Sequence, residues 1–304
     1  MRKRLSILGA AAVVAIALTG CSGANPGGST GGSTQGSDSG SGSSSAPYKV
    51  ATSVDLTGSP TYDAMKKRGK VVVGVKEDQP GLGYMDAATG KRTGFDVEIA
   101  KWIAASLGFG EDKIDFKAIP SANRESAIVN GDIDYYVGTY SITDKRKQQV
   151  GFAGPYFVTG QGLLVKKDNT DIKSEKDLAG KTVCSATGST PIQNIKENFP
   201  NTKTTEFDTY SQCVEALKDG QVDAVTTDAA ILIGYAAQDP DNLKVVGEPF
   251  TVEKYGVGLP KDDTALRTFI NNLFTNGHDT WQAIYDETLG KSGTKVEQPK
   301  VEAY

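Results

Sequence analysis

Histidine is almost missing from this chain: His278 is the only one among 304 residues. A serine–histidine–acid relay and the usual zinc site both draw on imidazole, and a lone histidine in the C-terminal helical region supplies neither. No catalytic residue, metal ligand or cofactor is assigned from the sequence. A long membrane-spanning run is lacking too, because the apolar stretch Leu5 to Leu18 has 14 residues against the ~20 a span requires. Excess positive charge is also absent. The chain carries 33 basic and 37 acidic residues for a net charge of −4, and without Arg2, Lys3 and Arg4 the balance is 30 against 37, or −7. So acidic a body has no general affinity for phosphate backbones, which argues against a nucleic-acid partner. What is present is the composition of a soluble globular protein, 38% hydrophobic, 23% charged and 8% aromatic, at a length suited to two lobes or one large α/β domain.

The N-terminus reads as an export signal over residues 1–20, a basic Arg2-Lys3-Arg4 start followed by the apolar run. Leu18-Thr19-Gly20-Cys21 resembles a bacterial lipobox, which implies diacylglycerol on Cys21 and a protein held at the outer face of a membrane. Residues 21–47 then form a tether. Between Ser22 and Pro47, 17 of 26 residues are Gly or Ser, and such a chain spans about 28 Å r.m.s..

From about Pro60 short β-branched runs alternate with amphipathic stretches, the pattern of an α/β sheet with crossover helices. A first series places strands at 70–75, 114–118 and 133–138 and helices at 96–107, 124–130 and 144–149. A second series opens at Gly162 and echoes it, with strands at 181–185, 203–207, 224–227 and 243–246, a helix from Tyr210 to Lys218 and Asp228 capping the next helix. The strand at 255–260 and two further helices end the folded part. Gly154 to Phe157 and Pro249 to Val252 read as crossings between two lobes, and a cleft between lobes is where small ligands bind.

The segment Gly94-Phe95-Asp96-Val97-Glu98-Ile99-Ala100-Lys101-Trp102 resembles the signature of the polar amino-acid (family 3) solute-binding proteins of ABC transporters. Ile142-Thr143-Asp144-Lys145-Arg146, Phe152 to Tyr156, Asp177 to Lys181 and Tyr255 to Pro260 follow at the spacing of that family. Within it the chain is most similar to glutamate-binding lipoproteins of high-GC Gram-positive bacteria. The resemblance implies a two-lobe, type II periplasmic-binding-protein-like fold, with two hinge strands and the ligand cleft between lobes. Residues 48–156 with 255–304 are expected to form lobe 1, and residues 157–254 lobe 2. It further implies a monomer that carries an amino acid to permease subunits driven by a cytoplasmic ATPase.

A free amino acid must be met at its carboxylate, its ammonium and its side chain. By the resemblance, Arg146 pairs with the α-carboxylate through its planar fork, with Ser141 and the backbone of Thr139 beside it. Ser189 and Thr187 lie in a strand-to-helix turn suited to an anion, and Asp228 holds the α-ammonium. Lys76 stands where glutamine-binding relatives carry an acid, and Ser121 and Arg124 resemble the Ser-x-x-Arg pattern of glutamate and aspartate binders. Tyr210 replaces a histidine of some acidic-ligand binders. Lys76 and Arg124 are thus two cations beyond the one an α-carboxylate needs, which points to L-glutamate or L-aspartate. Cys184 and Cys213, an even pair once Cys21 is lipidated, are expected to form a disulfide. Two other readings remain open on the same fold, a ligand-sensing receptor and an extracytoplasmic dehydratase-like enzyme with Asp228 as acid or base.

Overall fold

The computed structural model describes residues 46–292 and 296–304. The export signal, Cys21 and the tether up to residue 45 lie outside the described residues. Thirteen strands follow among those described: β1 Val71–Val75, β2 Asp78–Gln79, β3 Gly83–Met85, β4 Arg92–Thr93, β5 Ile114–Ala118, β6 Tyr135–Tyr136 and β7 Gly151–Thr159 in the first half. The second half adds β8 Gln161–Lys166, β9 Thr182–Ala186, β10 Lys203–Phe207, β11 Ala224–Asp228, β12 Leu243–Val246 and β13 Glu253–Leu259.

Ten of them make two five-stranded sheets, ordered β5-β1-β6-β13-β7 and β10-β9-β11-β8-β12. In each sheet the first strand of a βα series lies between the second and third as a parallel trio, and an antiparallel strand follows. The echo between the two series is therefore a shared strand order. β1 is buried at all five positions, as helix-covered parallel sheets require. The helix Phe95–Ser106 covers it with Phe95, Ile99, Ala100 and Ile103, all fully buried. Phe95 in turn packs edge-on against Trp281 and Tyr285, 5.7 and 6.1 Å away between ring centres.

β7 and β13 pair antiparallel from Glu253 opposite Thr159 to Leu259 opposite Gly151, with a bulge between Tyr255 and Val257. β7 leads through Gly160 into β8 of the second sheet, so the first crossing is a continuous extended run. The second differs from expectation. Pro249 to Val252 is not a strand but an irregular stretch tied to Gln161, whose carbonyl accepts from Phe250 N at 2.9 Å and whose N–H donates to Thr251 Oγ1 at 2.9 Å. Periodicity also overestimated the strand at 133–138, of which two residues are paired, and it missed the small sheet β2-β3-β4, whose strands are too short to alternate. The helix Pro60–Arg68 was likewise unread; Ser59 caps it by accepting from Tyr62 N at 3.1 Å, with Pro60 in its first turn. No described helix is long and apolar enough to cross a membrane.

Candidate functional site

Lys76 leaves the end of β1 and turns inward. It is 4% exposed, and its Nζ donates to Ser121 Oγ at 2.8 Å. Ser121 opens a single 3₁₀ turn after β5, and the helix Arg124–Val129 follows directly, which brings Arg124 against the same spot. Arg124 is itself 2% exposed; its Nε donates to Ser121 O at 3.1 Å and its Nη1 to Thr139 O at 3.3 Å.

The loop after β6 completes this side. Thr139 has a positive φ of 48°, uncommon for a residue with a branched side chain, and two bonds hold it there. Its N–H donates to Asp96 Oδ2 at 2.8 Å, and Gln79 Nε2 donates to its hydroxyl at 3.1 Å. Asp96, from the helix Phe95–Ser106, also accepts from Tyr156 at 2.9 Å, so the signature segment braces the cleft loop from beneath. Burial raises the Asp96 carboxyl to about 6, against the two hydrogen bonds that lower it. Arg146 sits on the four-residue helix Asp144–Lys147, whose cap Thr143 accepts from Arg146 N at 3.2 Å. The guanidinium donates to Ser141 O at 2.7 Å, to Glu125 Oε1 at 3.1 Å and to Gly188 O at 3.0 Å. Both guanidiniums lie against the Tyr140 ring, 4.4 Å from its centre for Arg124 and 4.9 Å for Arg146.

The opposite side comes from the second sheet. Gly188 adopts a φ of +76°, and a Cβ there would lie 2.8 Å from Ala122 Cα, so the turn after β9 must be glycine to come this close. Ser189 then caps the helix Thr190–Asn198 by accepting from Ile192 N at 3.3 Å and lies 3.2 Å from Ser185 Oγ. Thr190 donates to Glu253 at 2.9 Å and reaches Ser141 Oγ at 3.4 Å. Thr187 is only half-buried, and its N–H is spent on Phe207 O. Asp228 ends β11 at the cap position of the helix Ala229–Gln238, but the expected capping bond is not made. Its carboxylate turns instead to Tyr255, and its Oδ1 and the neighbouring Thr227 hydroxyl are buried without a partner. Tyr210 is buried close enough to Asp228 that burial and that charge together raise its hydroxyl to about 12.

The structure thus gathers Lys76, Ser121, Arg124, Thr139, Ser141 and Arg146 into one connected group, faced by Gly188, Ser189, Tyr210 and Asp228. Thr187 stands at its margin. Tyr140, Glu125, Glu253 and Thr227 belong to the site and escaped sequence reasoning. Tyr140, Glu125 and Thr227 adjoin site residues already singled out, so a search of immediate neighbours would have found them, whereas Glu253 adjoins none. Charge crowding dominates the electrostatics. Burial and the nearby Arg124 depress the Lys76 ammonium to about 7, and burial then Arg124 lower the Arg146 guanidinium. Burial, then Glu253, raises the Asp228 carboxyl to about 7. Behind the site a disulfide joins Cys184 of β9 to Cys213 of the helix Tyr210–Lys218, with Cα atoms 5.5 Å apart.

Residues 71–291 match the profile of the bacterial extracellular solute-binding proteins, family 3. The glutamate-binding protein GluB of Corynebacterium glutamicum is 41% identical over 258 residues, covering 80% of this chain and 86% of that protein. A glutamine-binding protein of Geobacillus stearothermophilus is 47% identical over 206 residues, 67% of this chain and 78% of that one. Among solved structures, the cysteine-binding protein from Campylobacter jejuni superposes with a TM-score of 0.73 at 31% identity, over 79% of this chain and 98% of its own.

Proposed function

Given that the chain belongs to the bacterial extracellular solute-binding proteins of family 3, we propose that it is the binding component of an ABC amino-acid importer and takes an acidic amino acid, L-glutamate or L-aspartate. The relatives are named for glutamate and for glutamine, so similarity alone does not separate a carboxylate from an amide. The charge of the cleft favours the carboxylate. The observation that carries the reading is the buried triad of Lys76, Ser121 and Arg124, with Nζ to Oγ at 2.8 Å and Nε to the serine carbonyl at 3.1 Å. Arg146 serves the α-carboxylate, leaving this pair of cations for a second one. Over a neutral amide they would lack a counter-charge, and a charge-assisted hydrogen bond is worth roughly 1.5–3 kcal/mol, so discrimination of ten-fold or more follows.

Asp228 receives the α-ammonium at its unpartnered Oδ1, with Thr227 alongside. The Ser141 and Ser189 hydroxyls flank the α-carboxylate beside Arg146, the backbone N–H groups of Thr139 and Thr187 being already donated to Asp96 and Phe207, and Tyr210 closes the side-chain pocket. Residues 48–156 with 255–304 act as one lobe and 157–254 as the other, closing on the ligand as a monomer. Cys21 carries the lipid that keeps the protein on the outer membrane face, within reach of the permease. Titration calorimetry against Glu, Asp, Gln and Arg tests the reading. Glu or Asp binds most tightly; tighter binding of Gln or Arg overturns it.

A further inference from the structure

Asp78 lies in β2 of the small sheet beside the first lobe, two residues beyond Lys76, and its carboxylate is aimed across to the second lobe. Its Oδ2 accepts from the backbone N–H of Tyr210 at 2.8 Å and of Ser211 at 3.2 Å. These are the first two residues of the helix Tyr210–Lys218, where an anion is favoured by the helix dipole. Tyr235, from the helix Ala229–Gln238, donates to the Asp78 carbonyl and lies 3.4 Å from the same Oδ2. Two residues on, the carbonyl of Pro80 lies so close to Gly234 that a Cβ there would approach it to 2.2 Å. One short segment of the first lobe is therefore fitted against two helices of the second. Asp78 is half-buried and borders a groove of about 370 Å³ lined by Tyr84, Ser211, Val214 and Tyr235, apart from the buried cluster around Arg124 and Arg146.

We propose that Asp78 is a positioning residue, a latch between the lobes that sets the stability of the closed cleft and thereby the residence time of whatever amino acid the cleft holds. The inference rests on the binding role proposed above. A contact made only when the lobes meet scales apparent affinity through the closed population, by the same factor for every ligand. This distinguishes a latch from a specificity residue, which changes one ligand relative to another.

The test measures dissociation rates and affinities of Glu, Asp, Gln and Arg for the full chain, its Asp78→Asn variant and its Gly234→Ala variant. Alanine is the better helix former, so Gly234→Ala keeps the helix and acts as an uncharged wedge against Pro80. Asp78→Asn is expected to speed dissociation of every bound amino acid at least about tenfold. Gly234→Ala should do so by an equal factor for all, with the Glu to Gln ratio unchanged. Dissociation within twofold of wild type in Asp78→Asn, or a ligand-dependent factor in Gly234→Ala, overturns the latch. Should the wild type bind none of the four, the binding role fails separately. The latch is then read from amide exchange at Tyr210 and Ser211: protection that Asp78→Asn removes supports it, and equal exchange in both proteins refutes it.

Discussion

Tyr255 donates its hydroxyl hydrogen to Asp228 Oδ2 at 2.6 Å, while Oδ1 of the same carboxylate is buried with no protein partner. The two residues come from different sheets, β13 and β11, so the bond links the first sheet to the carboxylate proposed to hold the α-ammonium. It fixes the carboxylate plane and leaves one oxygen for an incoming cation. Asp228→Asn is expected to cost at least about a hundredfold in affinity for every α-amino acid, because the ammonium loses the counter-charge proposed to meet it directly. Tyr255→Phe keeps the charge and loses the orienting bond, for about tenfold, or ~1.4 kcal/mol. Calorimetry on both variants checks the order; an Asp228→Asn protein that binds normally removes Asp228 from the site.

In the proposed binding mode Lys76 and Arg146 divide the two ends of the ligand. Arg146→Ala should abolish binding of all amino acids, since the α-carboxylate is common to them. Lys76→Ala should weaken glutamate tens-fold or more and glutamine far less. The comparison is a ratio within one variant, so a general loss of folding or closure cancels. Equal losses for Glu and Gln would take Lys76 out of the side-chain pocket.

How much of this was legible in the sequence varies with the kind of interaction. The run Val71 to Val75 announced a buried central strand, and the segment around Asp96 announced a helix, because both patterns are local. The cleft cations were legible only through resemblance; by itself Arg146 within Lys145-Arg146-Lys147 reads as a solvated helical turn. Asp228 was taken for a helix cap as well as an ammonium ligand, and the competing partner Tyr255, 27 residues on, decided against the cap. The bond from Asp78 to Tyr210 spans 132 residues and joins a two-residue strand to a helix end. No periodicity encodes such a contact; it exists only once both lobes have folded.

The disulfide between Cys184 and Cys213 closes a 29-residue loop wholly within the second lobe. On the chain-entropy account it contributes about 3.6 kcal/mol. Replacing both cysteines with alanine should lower the midpoint of denaturant unfolding by a corresponding amount, and an unchanged midpoint would show that the loop is already constrained without the bond. Ligand selectivity should survive in the variant, because neither sulfur contacts the cleft cations.

Two groups in the cleft ionise near neutrality, and they pull binding in opposite directions. Asp228 is raised to about 7 by burial and then by Glu253. A bound ammonium lowers that value again, so binding expels a proton below pH 7, and affinity rises with pH up to about 7 and then levels. Lys76 is lowered to about 7 by burial and then by Arg124. A side-chain carboxylate raises it, so binding takes up a proton above pH 7, and affinity is level below about 7 and falls beyond it. For glutamate the two limbs combine into a maximum near pH 7. Glutamine presents no carboxylate to Lys76 and should show the acid limb alone, as should glutamate with the Lys76→Met variant. Calorimetry of both ligands from about pH 5.5 to 8.5 reads the limbs separately, and the sign of proton exchange with buffer must reverse across neutrality for glutamate. An alkaline limb of equal slope for glutamine would assign the titration to a group other than Lys76.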